Sequence, residues 1–124
     1  MYGYRTRYML THPHKMIHRT FREIRWAWQR VVRGWDDTVW WSLDSYLCPI
    51  IIHTLTKLKE DGNGYPSDTT LEKWEEVLME MIDGFKAAQE ALNDNLSSEE
   101  YEAAMVRYRR GMDLFKDNFF NLWD

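Results

Sequence analysis

Three groups of side chains in this sequence have the types and spacing to do chemistry. The first is acidic. Glu76, Glu80 and Asp83 follow one another at steps of four and three, which puts them on one side of a helix, and Glu80 with Asp83 at i, i+3 could share a divalent cation, magnesium or manganese. A hydrolytic site would also need a second carboxylate pair opposite, and Glu99 with Glu102 repeats the spacing. The same wheel sets these acids opposite Trp74, Leu78 and Met81, where a solvated face is the simpler expectation. The second group is basic. Lys15, Arg19, Arg22, Arg30 and Arg33 form a stripe with Trp26 in its middle. Arginine around an aromatic suits phosphates and stacked bases, or an acidic protein surface. The third group is scattered. His12, His14 and His18 have no nearby carboxylate or cysteine to complete a zinc site. Cys48 and His53 lack a third member, and a buried, inert thiol is expected. Asp44 lies in an aromatic stretch and reads as a structural acid paired with an arginine of the basic helix. No nucleophile elbow, Walker loop, dinucleotide fingerprint, metalloprotease motif or deaminase signature is present. No cofactor is implied outside the metal reading.

These groups must be positioned by helices. The chain has 124 residues, 44% of them of apolar type, enough for one modest core. Residues 1–11 read as an aromatic, basic N-terminal arm and residues 12–124 as a single helical domain. Thr11 and Pro13 open a first helix to about Arg33, with apolar residues Ile17, Phe21, Ile24, Trp28, Val31 and Trp35 at steps of three and four. Gly34 is a natural residue just past its end. Asp36 or Asp37 is expected to cap a second helix, kinked or split by Pro49 near Tyr46. Gly62, Asn63, Gly64 and Pro66 mark a turn. Thr69 with Glu72 and Ser97 with Glu100 have the capping-box spacing for a third and a fourth helix. The predicted fold is therefore all-α, a compact bundle of four main helices, each apolar stripe covered by another element. The stripe of the fourth helix runs through Phe115 and Phe119 almost to the last residue. That end should be docked, Trp123 against the second helix near Trp40 or Trp41 or against a second copy, with Phe120 a contact for a possible homodimer.

Charge is unevenly spread. Residues 1–35 hold eight Lys or Arg and one acid, whereas residues 36–124 hold eight and nineteen. One cysteine rules out an internal disulfide, and no apolar run approaches the roughly 20 residues of a membrane span. A cytoplasmic location without a membrane role is the default.

Three segments carry a resemblance. They are Gly34-Trp35-Asp36-Asp37 with Trp41-Ser42-Leu43-Asp44-Ser45-Tyr46-Leu47, then Trp74-Glu75-Glu76-Val77-Leu78 with Glu80-Met81-Ile82, and finally Gly111-Met112-Asp113-Leu114-Phe115 with the ending Phe119-Phe120-Asn121-Leu122-Trp123-Asp124. Together they resemble a family of small uncharacterised proteins of tailed bacteriophages, with the Phe-Phe-x-Leu-Trp-Asp ending as the most specific part. The resemblance implies residence in the host cell and brings no catalytic residue with it. A second likeness is narrower. Glu72-x-x-Glu75 and Glu80-x-x-Asp83 resemble the two metal-binding halves of all-helical nucleotide pyrophosphatases, although those halves lie on two facing helices and these lie on one. The leading expectation is a non-enzymatic phage accessory protein, of the host-takeover kind, that binds a host or phage protein or nucleic acid through the basic, Trp-containing first helix. The alternative is a metal-dependent nucleotide hydrolase using Glu76, Glu80 and Asp83.

Overall fold

The structure, a computed structural model, describes residues 13–124. The arm of residues 1–11, the Thr11 cap and His12 lie outside the described residues. The chain is all-helical, with four main helices and no strand among the described residues: α1 (Pro13–Arg33), α2 (Leu43–Asp61), α3 (Leu71–Ala91) and α4 (Ser98–Asp117). Short 3-10 turns at Val39–Trp41 and Phe119–Asn121 precede α2 and follow α4. The expected fold class is the one observed. Two compact units divide it, one ending at Leu43 and the other Asp44–Asp124.

The first unit is α1 and its following turn. Gly34 sits at φ +80°, the left-handed conformation that ends helices and that glycine adopts without strain, and its N–H bonds back to the Arg30 carbonyl at 2.9 Å. Asp36 does not cap α2. Its carboxylate accepts from the N–H and the hydroxyl of Thr38, which opens the 3-10 turn, and α2 begins only at Leu43. A short polar side chain that satisfies backbone donors two residues on favours a turn over immediate helix.

The second unit holds the core. Pro49 does not split α2, which runs unbroken from Leu43 to Asp61. The one hydrogen bond that proline removes lies near the helix start, and Cys48 and Leu55 are buried on either side of it. The run Ile50–Ile52, β-branched but flanked by helical periodicity, stays helical. Thr70, one residue later than expected, caps α3 by accepting from Lys73 N–H. Ser97 caps α4 by accepting from Glu100 N–H at 3.1 Å, as its spacing predicts. Cys48 and Leu55 from α2 and Trp74, Leu78, Met81, Ile82 and Phe85 from α3 make the core, with Met112, Leu114, Phe115 and Leu122 packed against it. Leu78 and Met81 are fully enclosed, each worth about 1.5–3 kcal/mol relative to exposure. Helices α3 and α4 meet backbone to backbone at Gly84 and Gly111, where a Cβ on either glycine would lie 2.6 Å from the Cα of the other.

Candidate functional site

The acidic residues of α3 are engaged by arginines of α4. Arg110 donates to both carboxylate oxygens of Glu80, at 3.2 and 2.9 Å, and Arg107 donates to both oxygens of Asp83, at 3.1 and 2.6 Å. Arg107 also reaches Glu90 at 2.7 Å. The Arg107 guanidinium holds the Asp83 carboxyl below the usual carboxylate range. These side chains brace the Gly84–Gly111 crossing. Glu76 stays exposed, and no group of three or more His, Cys, Asp or Glu residues among the described residues could hold a metal ion. The metal reading of Glu76, Glu80 and Asp83 therefore loses its footing: the arginine stripe of α4 answers the acidic stripe of α3 by ordinary charge pairing.

Cys48 and Asp44 line a largely apolar cavity of about 400 Å³ with side chains such as Ile51, Phe85, Met105 and Tyr108. Burial, aided by the Asp44 charge, pushes the Cys48 thiol up, the opposite of what a nucleophile needs. Asp44 itself is exposed in the first turn of α2, where its carboxylate accepts from the Ser45 N–H at 2.8 Å.

The C-terminus mixes packed and exposed aromatic residues. Phe115 is half-buried and meets Phe85 edge to face at 5.2 Å. Beyond it Phe119 is exposed, Phe120 is 89% exposed and Trp123 is 73% exposed. An edge-to-face ladder continues from Phe115 to Phe119 and on to Phe120. Trp123 is thus not buried as a core residue. It borders Gly64, Tyr65 and Pro66, and Asp124 fastens this end by accepting from Asn63 N–H at 2.7 Å. Leu122 alone of the last three residues packs on the core. Once the 3-10 turn at Phe119–Asn121 breaks the helical period, the aromatic residues beyond it leave the core face.

The basic helix is arranged in a way its sequence did not convey. Residues 36 and 37 fold back onto the basic side of α1. Arg30 pairs with Asp36, a buried carboxylate, and Arg33 with Asp37 at 2.8 Å. Gln29 and Asp37 bond reciprocally, amide to carboxylate at 2.8 Å and backbone N–H to amide oxygen at 2.9 Å. Arg25 approaches the same carboxylate at 3.4 Å. Hydrogen bonds, from Thr38 to Asp36 first and from Gln29 to Asp37 first, hold both carboxyls below their ordinary range. Arg19 pairs within the helix with Glu23.

This fold-back delivers tryptophans. Trp41 meets Trp26 edge to face at 6.0 Å and Trp40 meets Trp41 at the same distance. The Arg22 guanidinium stacks 5.1 Å from the Trp26 ring. Trp26 is half-buried, while Trp40 and Trp41 stay exposed. Of the basic residues singled out from the sequence, the structure thus gathers Arg22 and Trp26 into one cluster and commits Arg30 and Arg33 to the Asp36–Asp37 turn. Trp40 and Trp41 were missed as site residues. Both follow Asp36 within five positions, and an acidic turn next to a basic helix was the available signal.

The opposite face of α1 holds the apolar stripe. Ile17, Phe21, Ile24, Trp28 and Val31, read from the sequence as a core stripe, are 53–80% exposed, and α1 has no buried residue. Local ion pairing turns the polar side of the helix toward its own turn. No helix among the described residues is long and apolar enough to cross a membrane. No family model, curated protein or solved structure matches the chain.

Proposed function

We propose that this protein is a non-enzymatic phage accessory protein, working in the host cytoplasm by binding a host or phage protein through the polar face of α1. The observation that carries the reading is the Arg22–Trp26–Trp41–Trp40 cluster. Trp and Arg are the residue types that dominate interface hot spots, and a ring system already held by an ion-paired turn loses little freedom on binding. The phage assignment rests on the resemblance of residues 34–124, above all the Phe-Phe-x-Leu-Trp-Asp ending. Nucleic acid is the less favoured partner, because Arg25, Arg30 and Arg33 already have carboxylates beside them and charge spent locally releases fewer counterions on phosphate binding. The experiment is affinity capture from lysate of phage-infected host cells, with wild type, Trp26→Ala and Trp41→Ala side by side. Both variants should lose the same specific partner while keeping the wild-type circular dichroism spectrum. Retention of every captured protein by both variants would overturn the proposal. A salt-sensitive association with duplex or single-stranded nucleic acid, abolished by Arg22→Glu with Arg19→Glu, would replace protein by nucleic acid as the partner.

A further inference from the structure

Three helical faces of the unit Asp44–Asp124 converge on one space. On α2, Asp44, Cys48 and Ile51 follow one another at helical spacing, and on α3 Phe85 and Ala88 are a turn apart. Helix α4 adds Met105 and Met112, two turns apart on its own stripe. The cavity they line measures about 400 Å³, and every lining residue belongs to this one unit. That volume lies within the range of about 300–1,000 Å³ typical of small-molecule sites, which are likewise mostly apolar with a few polar groups. Ala88 and Ala91 offer only a methyl group each to fill it. Walls of this kind lack partner atoms on one side, and a hydrocarbon body placed between them supplies the missing dispersion contacts. The polar groups are few and of one character. The Asp44 carboxylate brings the negative charge of the lining, the hydroxyls of Tyr101 and Tyr108 are neutral, and no lysine, arginine or histidine is among the described residues that line it. Cys48 adds no charge, because burial first and the Asp44 charge second push its thiol up. The second of these causes shows that the Asp44 charge is felt as deep as the buried Cys48.

We propose that this cavity binds a small organic amine, with its hydrocarbon body among Ile51, Phe85, Met105 and Met112 and its ammonium group at the Asp44 carboxylate. Charge decides between amphipathic classes that apolar walls alone would accept equally. A carboxylate or phosphate amphiphile would meet Asp44 with no cation on the walls to answer it, whereas an ammonium group gains a charge-assisted hydrogen bond there. Tyr101 and Tyr108 favour the same sign, because the face of an aromatic ring attracts cations. Met105 and Met112 favour an aromatic body on the amine. Their unbranched thioether side chains repack readily around a guest, and sulfur makes favourable contacts with ring edges. The site uses no residue of α1, so it stands or falls apart from the protein contact proposed for Trp26.

The test is a titration of the full chain, with isotope-labelled methionine methyl groups, followed by nuclear magnetic resonance at neutral pH. Phenethylamine is the probe, and phenethyl alcohol and phenylacetate are its neutral and anionic counterparts with nearly the same body. Phenethylamine should move the Met105 and Met112 methyl resonances saturably and leave that of Met79, which is outside the lining, in place. Phenethyl alcohol should bind about tenfold more weakly, the loss of one charge-assisted hydrogen bond, and phenylacetate more weakly still. Asp44→Asn preserves the shape of the side chain and an acceptor for the Ser45 N–H. It should lower the affinity for phenethylamine by about tenfold and leave that for the alcohol unchanged. Phenethylamine bound as tightly by Asp44→Asn as by wild type overturns the inference, as does phenylacetate that binds at least as tightly as the amine. Failure of all three probes to move Met105 and Met112 overturns it as well, the space then being taken up by the chain itself.

Discussion

The contact between Gly84 and Gly111 makes the second unit sensitive to a single methyl group. In Gly84→Ala the new Cβ would sit 2.6 Å from Gly111 Cα, 3.1 Å from Gly111 N and 3.2 Å from the Arg107 carbonyl oxygen. All three are backbone atoms, so no side chain can swing away and the helices themselves must part by about 1 Å to reach ordinary contact. Forcing a methyl into a packed interface costs about 1–3 kcal/mol, and the upper end applies where nothing flexible can yield. A gap of that size also forfeits a quarter to a half of each dispersion contact along the seam. Alanine returns about 1 kcal/mol through its better helix propensity. The net expectation is a loss of about 2 kcal/mol, or a fall in Tm of roughly 6–10 °C for a chain of this length. Urea melts followed by circular dichroism, with an unchanged slope, measure it directly. Gly64→Ala, with open space around its Cβ, should stay within about 0.5 kcal/mol of wild type. A Gly84→Ala protein about 1 kcal/mol more stable than wild type, the result for a glycine in an open helix, would refute the close approach.

Two further outcomes follow from the ionisable groups. Asp83 is held below its ordinary range by Arg107, so its contribution is complete above the unfolded aspartate pKa and disappears as pH falls through the lowered folded value. Arg107→Ala should therefore cost under about 1 kcal/mol at pH 7, because the pair is partly exposed, and acid unfolding followed by circular dichroism should begin at a higher pH than in wild type. Cys48, buried and with its thiol pushed up, should resist a disulfide-exchange reagent at pH 8 and react fully in urea. Rapid labelling of the folded protein would contradict the burial.

The periodicity of α3 and α4 was legible because those helices bury their stripes in each other's company. Leu78, Met81 and Phe85 are where steps of three and four place them, and the Ser97 cap needs only its neighbours. The same periodicity in α1 is as regular. A stripe states that a face is apolar and does not state what covers it. Asp36 and Asp37 looked like helix starts because aspartate favours that position. Their partners Arg30, Arg33 and Gln29 lie behind them on the chain, and pairing backward made a turn instead. Trp123 was expected to dock on the second helix or on a second copy by extending the α4 period past Asn118, where the backbone has already left the helix. The Glu80 and Asp83 spacing was read correctly as one face. Its use depended on Arg107 and Arg110, some 24 and 30 residues away, and no local pattern reports such a distance.

Every residue of the hydrophobic core cluster lies between Cys48 and Leu122, within the unit that begins at Asp44. Ile17, Phe21, Ile24, Trp28 and Val31 lie in the other unit and outside that cluster. In a lineage under pressure to change partners, such a chain can rewrite its first helix while inheriting its scaffold unaltered. The pace of change on the two sides of Leu43 then becomes a historical record of which half faced the moving target.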